Sequence, residues 1–261
     1  MTEAPVICRP GRIAEIVLNR PDKYNAMTAE MGLALRDATL AISADPHTRV
    51  VALRGAGKAF SAGGDFSLLE QNSKRDPEEN RQRMLEFYSV FLSLVHLPVP
   101  VVAVVHGAAV GAGLCIALAA DVRLAAAEAK LGANFVRVGL HPGMGCTALL
   151  PHVVGTARAA ELLLTGALVT GAEAERIGLV SRALPRDTLE AAAQETLESI
   201  ASAAPIAVRQ TKATLRRSLL AQLPGALAQE ALNQAIDFGT EDLLEAIDAF
   251  RNGRTPEFHG K

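Results

Sequence analysis

The chain has 261 residues, 49% of them hydrophobic and 21% charged, with a formal charge of −2 and an isoelectric point near 6.3. That length suits one sizeable domain, or a core with an appendage, and the composition lies far from disordered and fibrous extremes. With no overall positive field, the balance argues against nucleic acid or an anionic membrane surface as a partner.

Residues 1–12 lack the basic-then-apolar pattern of a signal peptide, since Arg9 and Arg12 interrupt the stretch early. Pro10-Gly11 then separates a short apolar run from Ile13-Ala14-Glu15-Ile16-Val17-Leu18, which predicts a hairpin entering a sheet. From Thr28 onward, Met31, Leu35, Ala38 and Ile42 recur at helical spacing. Asp45-Pro46 closes that helix before the β-rich Val50-Val51-Ala52-Leu53. After a glycine-rich stretch at 55–65, the polar segment 71–80 reads as a mobile loop, with Asp76-Pro77 capping a helix that carries Met84, Phe87, Phe91 and Val95.

The apolar stretch 97–120 carries two prolines, His106 and three glycines, so it reads as a strand buried on both faces followed by a helix, not as a membrane span. Val122-Arg123-Leu124-Ala125 and Val136-Arg137-Val138 are further strand candidates, and Pro142-Gly143-Met144-Gly145 opens helical sequence. Beyond about Leu184 the chain is alanine-rich and helical in period, with breaks expected at Pro205 and Pro224. The division expected is a core over 1–190 and a helical region over 191–261.

Two turns place small residues between a buried strand and a helix: Ala59-Phe60-Ser61-Ala62-Gly63-Gly64-Asp65, and 106–113 with Gly107, Gly111, Ala112 and Gly113. Backbone N–H groups at such turns and helix starts have no partner within the helix and align with its dipole, so they suit negative charge developing on an oxygen. The same glycines also allow plain close packing.

These stretches, together with Asn19-Arg20-Pro21-Asp22-Lys23-Tyr24-Asn25-Ala26, Pro142-Gly143-Met144-Gly145, Leu164-Thr165-Gly166, the 174–180 segment and the tail Pro256-Glu257-Phe258-His259-Gly260, resemble in order and spacing the successive signatures of crotonases, the enoyl-CoA hydratase/isomerase superfamily. The resemblance covers nearly the whole chain. It implies an α/β crotonase-like spiral of repeated β-β-α units with a C-terminal helical appendage that packs on neighbouring subunits, in trimers commonly paired into hexamers. It further implies an acyl-CoA thioester as ligand, with coenzyme A entering as part of the substrate and no separate cofactor. Motif matching puts the coenzyme A adenine near Lys23 and the stretch Ala62, Gly63, Asp65 and Phe66. It puts the thioester oxygen between the N–H groups of Gly64 and Ala112.

Family hydratases use two glutamates to position water and exchange the α-proton, and the matching positions here hold Cys115 and Phe135. Phenylalanine carries no proton to exchange, and a thiol of reference pKa about 8.5 is a poor stand-in for a carboxylate. Losing a positioned acid or base costs roughly 10²–10⁴ in rate, so ordinary water addition is not expected from this pair. Enolate stabilisation, thioester hydrolysis and acyl-CoA binding without turnover stay open. The side chains left near the expected pocket are Cys115, His141 and acids of the 71–80 neighbourhood such as Glu70, while Asp65 and Asp121 are expected to bond to local backbone.

Three rival motifs fail. Gly55-Ala56-Gly57-Lys58-Ala59 lacks the first glycine and the Ser/Thr of a phosphate loop, and Ala59-Phe60-Ser61-Ala62-Gly63 lacks the first glycine of a nucleophile elbow. Gly143-Met144-Gly145-Cys146-Thr147-Ala148 fits a dinucleotide fingerprint, but Glu161 at the ribose distance lies in helical sequence instead of at a strand end. Six histidines show no ligand spacing, so no metal is expected. Three widely spaced cysteines, Cys8, Cys115 and Cys146, indicate no disulfide framework and fit a reducing cytoplasm.

Overall fold

A computed structural model describes residues 4–261. Strands β1 (Val6–Arg9) and β2 (Ile13–Leu18) form the expected hairpin across Pro10-Gly11. Helix α1 (Ala29–Ala44) starts where Thr28 accepts a hydrogen bond from Met31 N–H, and it buries Met31, Leu35, Ala38 and Ile42 on one face. Strand β3 (Val50–Gly55) leads to the first glycine turn and a short helix α2 (Phe66–Asn72), then to α3 (Pro77–Phe91). As the sequence predicts, Pro77 stands in the first turn of α3, and Asp76 caps it by accepting from Glu78 and Glu79 N–H at 2.9 and 3.3 Å.

Strand β4 (Val101–Val105) is buried along its whole length. It is followed by β5 (Ala109–Val110) and α4 (Ala112–Ala119), all eight of whose residues are buried, as befits a helix apolar on every side. Next come β6 (Val122–Ala126), β7 (Lys130–Gly132), α5 (Cys146–Val154), α6 (Thr156–Thr165), β8 (Val169–Thr170), α7 (Gly171–Arg176) and β9 (Arg182–Leu184). Three helices close the chain: α8 (Arg186–Ser202), α9 (Pro205–Asp237) and α10 (Glu241–Arg251).

The strands make two sheets. Six lie in the order β1-β2-β3-β4-β6-β9, parallel except for the β1–β2 hairpin, and three in the order β5-β7-β8. The small sheet is prolonged by bridges Ser61↔Ala109 and Met27↔Gly64. Each turn of the spiral therefore sends one strand to the large sheet, one short segment to the small one, and then a helix. This is the repeated β-β-α unit. The second segment carries the glycine turns, so the spiral itself stacks them.

Several local expectations need correction. Val136-Arg137-Val138 is not a strand but part of a 3-10 turn (Phe135–Val138), closed by Gly139 at φ +71°, too brief to pair with a sheet. Residues 71 and 72 end α2, and Asn80 donates to the Asn72 carbonyl at 2.8 Å, so the 71–80 segment is largely built into two helices. Pro205 starts α9 as expected, whereas Pro224 lies inside that 33-residue helix without ending it. Packing on both flanks outweighs the one lost backbone bond. The 190/191 division falls inside α8, which lies against β2, β3, β4, β6 and β9. No helix among the described residues is long and apolar enough to cross a membrane.

Candidate active site

Asn25 builds the first glycine turn. It sits at φ +55°, a left-handed conformation that asparagine tolerates, and is fully buried. Its Nδ2 donates to the carbonyls of Ala56, Ala59 and Phe60 at 2.8, 2.9 and 3.1 Å, and its Oδ1 accepts from Arg20 N–H at 2.8 Å. Ser61 Oγ donates to the Asn25 carbonyl at 2.9 Å and accepts from Gly63 N–H at 3.2 Å. That buried hydroxyl is fully engaged in structure, which disposes of the nucleophile-elbow reading.

The second turn is laced to the first by backbone alone. Ser61 N–H donates to Ala108 O at 3.0 Å and Val110 N–H to Ser61 O at 3.1 Å. A Cβ on Gly113 would stand 2.2 Å from Ser61 O, and one on Gly63 would stand 2.6 Å from Val110 O and 3.3 Å from Ala112 N. Gly63 and Ala112 are thus brought side by side. Among the described residues neither Gly64 N–H nor Ala112 N–H has a protein acceptor; Ala112 opens α4, whose first N–H groups have no partner within the helix.

Gly64 differs from its neighbours. Its φ does not lie in the left-handed range, it is exposed, and a Cβ there would meet nothing within 4 Å. Neither backbone strain nor packing within the chain asks for glycine at this position.

The other expected ligand-binding residues gather around this turn. Lys23 ends an exposed 3-10 turn (Pro21–Lys23) joined to the site because Ala62 N–H donates to the adjacent Tyr24 carbonyl at 2.9 Å. Asp65 caps α2: its Oδ1 accepts from Ser67 N–H and Oγ at 3.1 and 2.8 Å, and its Oδ2 pairs with Arg20 at 3.3 Å. Burial pushes this carboxyl up, but the bonds from Ser67 and Arg20 outweigh it and hold it below the usual range. Phe66 begins α2 and stacks on Phe250.

Cys115 and Phe135, the two residues that the resemblance sets at the glutamate positions of family hydratases, bring no carboxylate. Cys115, one turn along α4, is fully buried with its Sγ 3.3 Å from Gly111 O and 3.4 Å from Gly143 O. Burial first, then the neighbouring Cys146 and Glu230, push its thiol well above the ordinary value, so it stays protonated at neutral pH. Phe135 is buried at the head of the 3-10 turn. Its neighbour Asn134 places Oδ1 3.3 Å from where a Cβ on Gly111 would lie, which sets that turn against the start of α4.

The third turn, around Pro142-Gly143-Met144-Gly145, is held by side chains of α9 that the sequence did not single out. Glu230, wholly buried, accepts from Gly145 N–H at 2.6 Å and Thr147 N–H at 2.8 Å and so caps α5 from a distance of 83 residues in sequence. Gln234 donates to the His141 carbonyl at 2.7 Å and accepts from Tyr88 at 2.7 Å, while Asp237 accepts from His141 N–H at 2.6 Å. Burial raises both Glu230 and Asp237 above the carboxylate norm. Met144, a non-glycine residue at φ +58°, is strained within this clasp. The His141 ring bonds to its own neighbour, Nδ1 to Pro142 O at 2.6 Å.

At the other end of α9, Asp121 bonds not to the local backbone that the sequence leads one to expect but to Val101 N–H, 20 residues earlier, at 2.8 Å, and it pairs with Lys212 at 2.9 Å and Arg216 at 2.7 Å. Arg123 is buried beside them, and desolvation together with Arg216 lowers its pKa to about 10. Only a chain trace reveals this grouping, because its members lie about 90 residues apart.

The model of the family described as enoyl-CoA hydratase/isomerase matches residues 9–261. This chain belongs to that family, the crotonase superfamily. It is 36% identical over 254 residues to mouse enoyl-CoA hydratase domain-containing protein 2, mitochondrial, covering 95% of this chain and 85% of that protein. Among solved structures, an enoyl-CoA hydratase from Mycobacterium avium subsp. paratuberculosis superposes with TM-score 0.88 at 32% identity, covering 98% and 99% of the two chains. An enoyl-CoA hydratase/isomerase from Pseudoalteromonas atlantica gives 0.86 at 29%, covering 98% and 100%. The crotonase family binds acyl-CoA thioesters, and the fold is the crotonase fold.

Proposed function

We propose that this crotonase binds an acyl-CoA thioester, holds its carbonyl oxygen between the N–H groups of Gly64 and Ala112, and stabilises the enolate formed when negative charge moves onto that oxygen. The observation that carries this reading is Gly64: a glycine required by neither φ nor packing, beside open space, and directly after Gly63, where a Cβ would lie 3.3 Å from the nitrogen of Ala112 that opens α4. Two preorganised donors aimed at a developing oxyanion act without reorganisation cost, and removal of one such donor typically lowers kcat by roughly 10²–10³. The adenine end of the ligand lies by Lys23, Ala62, Asp65 and Phe66 in this reading.

Water addition by the usual pair of acids is absent from the proposal. Cys115 is a buried neutral thiol and Phe135 a hydrocarbon, so proton exchange at the α-carbon has no group at either customary position. Binding and polarisation without hydration is the second reading, favoured by the same two side chains. Exposed apolar residues on α9, with Ile206 at 67% and Leu215 at 69% exposure, support self-association, in line with the trimeric or hexameric expectation.

Calorimetric titration with crotonyl-CoA, alongside the loss of conjugated-enoyl absorbance, tests the proposal. Binding with slow or no turnover is the expected result, and absence of binding to any acyl-CoA overturns it. Ala112→Pro removes one donor at a helix position where proline is well tolerated. A folded Ala112→Pro variant that binds and turns over substrate as the parent does would rule out the hole.

A further inference from the structure

Helix α4 supplies the Ala112 N–H of the proposed hole at one end and meets a buried group of cations at the other. Its last carbonyls are bonded by two arginines: Ala119 O accepts from Arg216 Nη2 at 2.7 Å, and Ala120 O, directly after the helix, accepts from Arg123 Nη1 at 2.8 Å. Beside them, Lys212 Nζ donates to Val99 O at 2.8 Å.

The charges in this group do not balance. Lys212, Arg216 and Arg123 are all buried, and the carboxylate that meets them is Asp121, which pairs with Lys212 and Arg216. Among the described residues Arg123 forms no ion pair; its Nε donates to Leu179 O at 2.8 Å. Arg216 Nη1 is buried with no acceptor. Three cations and one carboxylate leave an excess of two positive charges. Carbonyls at a helix C-terminus favour cations, yet any two donors suffice to bond them, and a guanidinium without a carboxylate is costly to bury.

All eight residues of α4 are buried, so little water screens its length. Its rise places the cations roughly 12 Å from the Ala112 nitrogen. At that distance, with an effective dielectric constant of about 20, one unit charge shifts by roughly tenfold an equilibrium that creates negative charge at the other end. The groups on the flank of α4 oppose this little. Cys115 and Tyr88 are held neutral, first by burial, and the Glu230 carboxylate accepts from Gly145 N–H, Thr147 N–H and Thr147 Oγ1 at the start of α5. Asp237 accepts from His141 N–H.

We propose that Arg123 and Arg216 are positioning residues for the oxyanion: their buried charge, acting along α4, stabilises the negative charge that develops on the thioester oxygen at Ala112 N–H. The inference rests on the oxyanion reading above and assigns a role to side chains at the far end of the helix from the ligand.

The test uses two thioesters. Acetoacetyl-CoA has an α-proton acidic enough for its enolate to be followed by absorbance through a pH titration, and butyryl-CoA reports plain binding by calorimetry. Arg123→Gln keeps a donor and removes the charge, whereas Arg123→Lys keeps the charge. Arg216→Gln removes a charge from a different element, so a folding defect in one neutral variant leaves the other to decide. The wild type is expected to lower the enolisation pKa of bound acetoacetyl-CoA below that of the free thioester. Both glutamine variants are expected to raise the bound value by about 0.5–1 unit, a roughly three- to tenfold loss of enolate, with Arg123→Lys matching the wild type and butyryl-CoA affinity constant throughout. An unchanged pKa in a folded glutamine variant overturns the inference. An equal rise in Arg123→Lys, or a matching loss of butyryl-CoA affinity, also overturns it, because either marks a distorted site. If the wild type binds neither thioester, or binds acetoacetyl-CoA without lowering its pKa, it is the oxyanion reading that falls.

Discussion

The two glycine turns and the Pro-Gly turn flank the same helix, α4, yet they are built from different materials. The first pair is joined by main-chain hydrogen bonds and close approaches at Gly63 and Gly113 and braced by the Asn25 and Ser61 side chains, so the positions of Gly64 and Ala112 N–H do not rest on the side chains of Cys115 or Phe135. The third turn is a strained loop held by Glu230, Gln234 and Asp237 from α9. A backbone site tolerates changes of neighbouring side chains such as Cys115 and Phe135, whereas a side-chain site is only as good as its residues. Under the proposed function, this is how a chain would keep the means to grip a thioester oxygen while lacking the usual means to move a proton.

The comparison predicts that damage to the α9 side falls on stability, and damage to the glycine side divides between stability and binding. The largest effect is expected for Asp121→Ala, which strands Lys212 and Arg216 without their counter-charge. Breaking a buried ion pair costs about 3–5 kcal/mol, read as a lower urea midpoint at constant slope. A loss below about 1 kcal/mol would mean that α9 is not anchored there.

Gly113→Ala and Gly64→Ala should then separate packing from ligand contact. The first forces a Cβ into Ser61 O and is expected to cost about 1–3 kcal/mol or more. The second meets open space and should leave stability unchanged or raise it by about 0.4–1 kcal/mol, while weakening acyl-CoA binding. Equal destabilisation by both, measured by thermal unfolding, would remove the special status of Gly64.

Glu230→Ala leaves Gly145 and Thr147 N–H unpaired in the interior and is expected to cost about 1–3 kcal/mol. Crotonyl-CoA affinity should change little, because the glycine turns do not lean on α9; a large loss would contradict that independence. The smallest effect concerns pH. Asp237 is raised by burial, so the folded state holds its proton more tightly than the unfolded chain does. Its stabilising contribution is complete below the unfolded value of about 4 and is lost as pH rises through the higher folded value. Asp237→Asn should therefore flatten the stability curve over that interval, and parallel curves for the two proteins would show the group to be silent.

Much of the fold was legible in periodicity and punctuation. Thr28, Asp76-Pro77 and the alternation of buried strand, small-residue turn and helix all act locally, and the helices begin where those residues stand. The 3-10 turn at 135–138 was misread because Val-Arg-Val alternates as a strand does, while Gly139 and the contact with α10 decide otherwise. Pro224 was misread because local propensity forbids what tertiary packing holds in place. At the candidate site, the close approach of the two small-residue turns was readable from their glycines, whereas the reading of Cys115 and Phe135 rests on the family pattern alone. Glu230, Gln234 and Asp237 were not, since nothing in a polar helical face says which of its side chains will turn inward toward a loop some 90 residues upstream.

Helix α9 is fastened near one end to the base of the sheet through Lys212 and Arg216, and near the other to the third turn through Glu230, Gln234 and Asp237. Pro224, which offers no N–H to the turn before it, lies between these fastenings. The helix is in effect one strut with two separate fastenings, and its hydrogen-bond ladder lacks a rung between them.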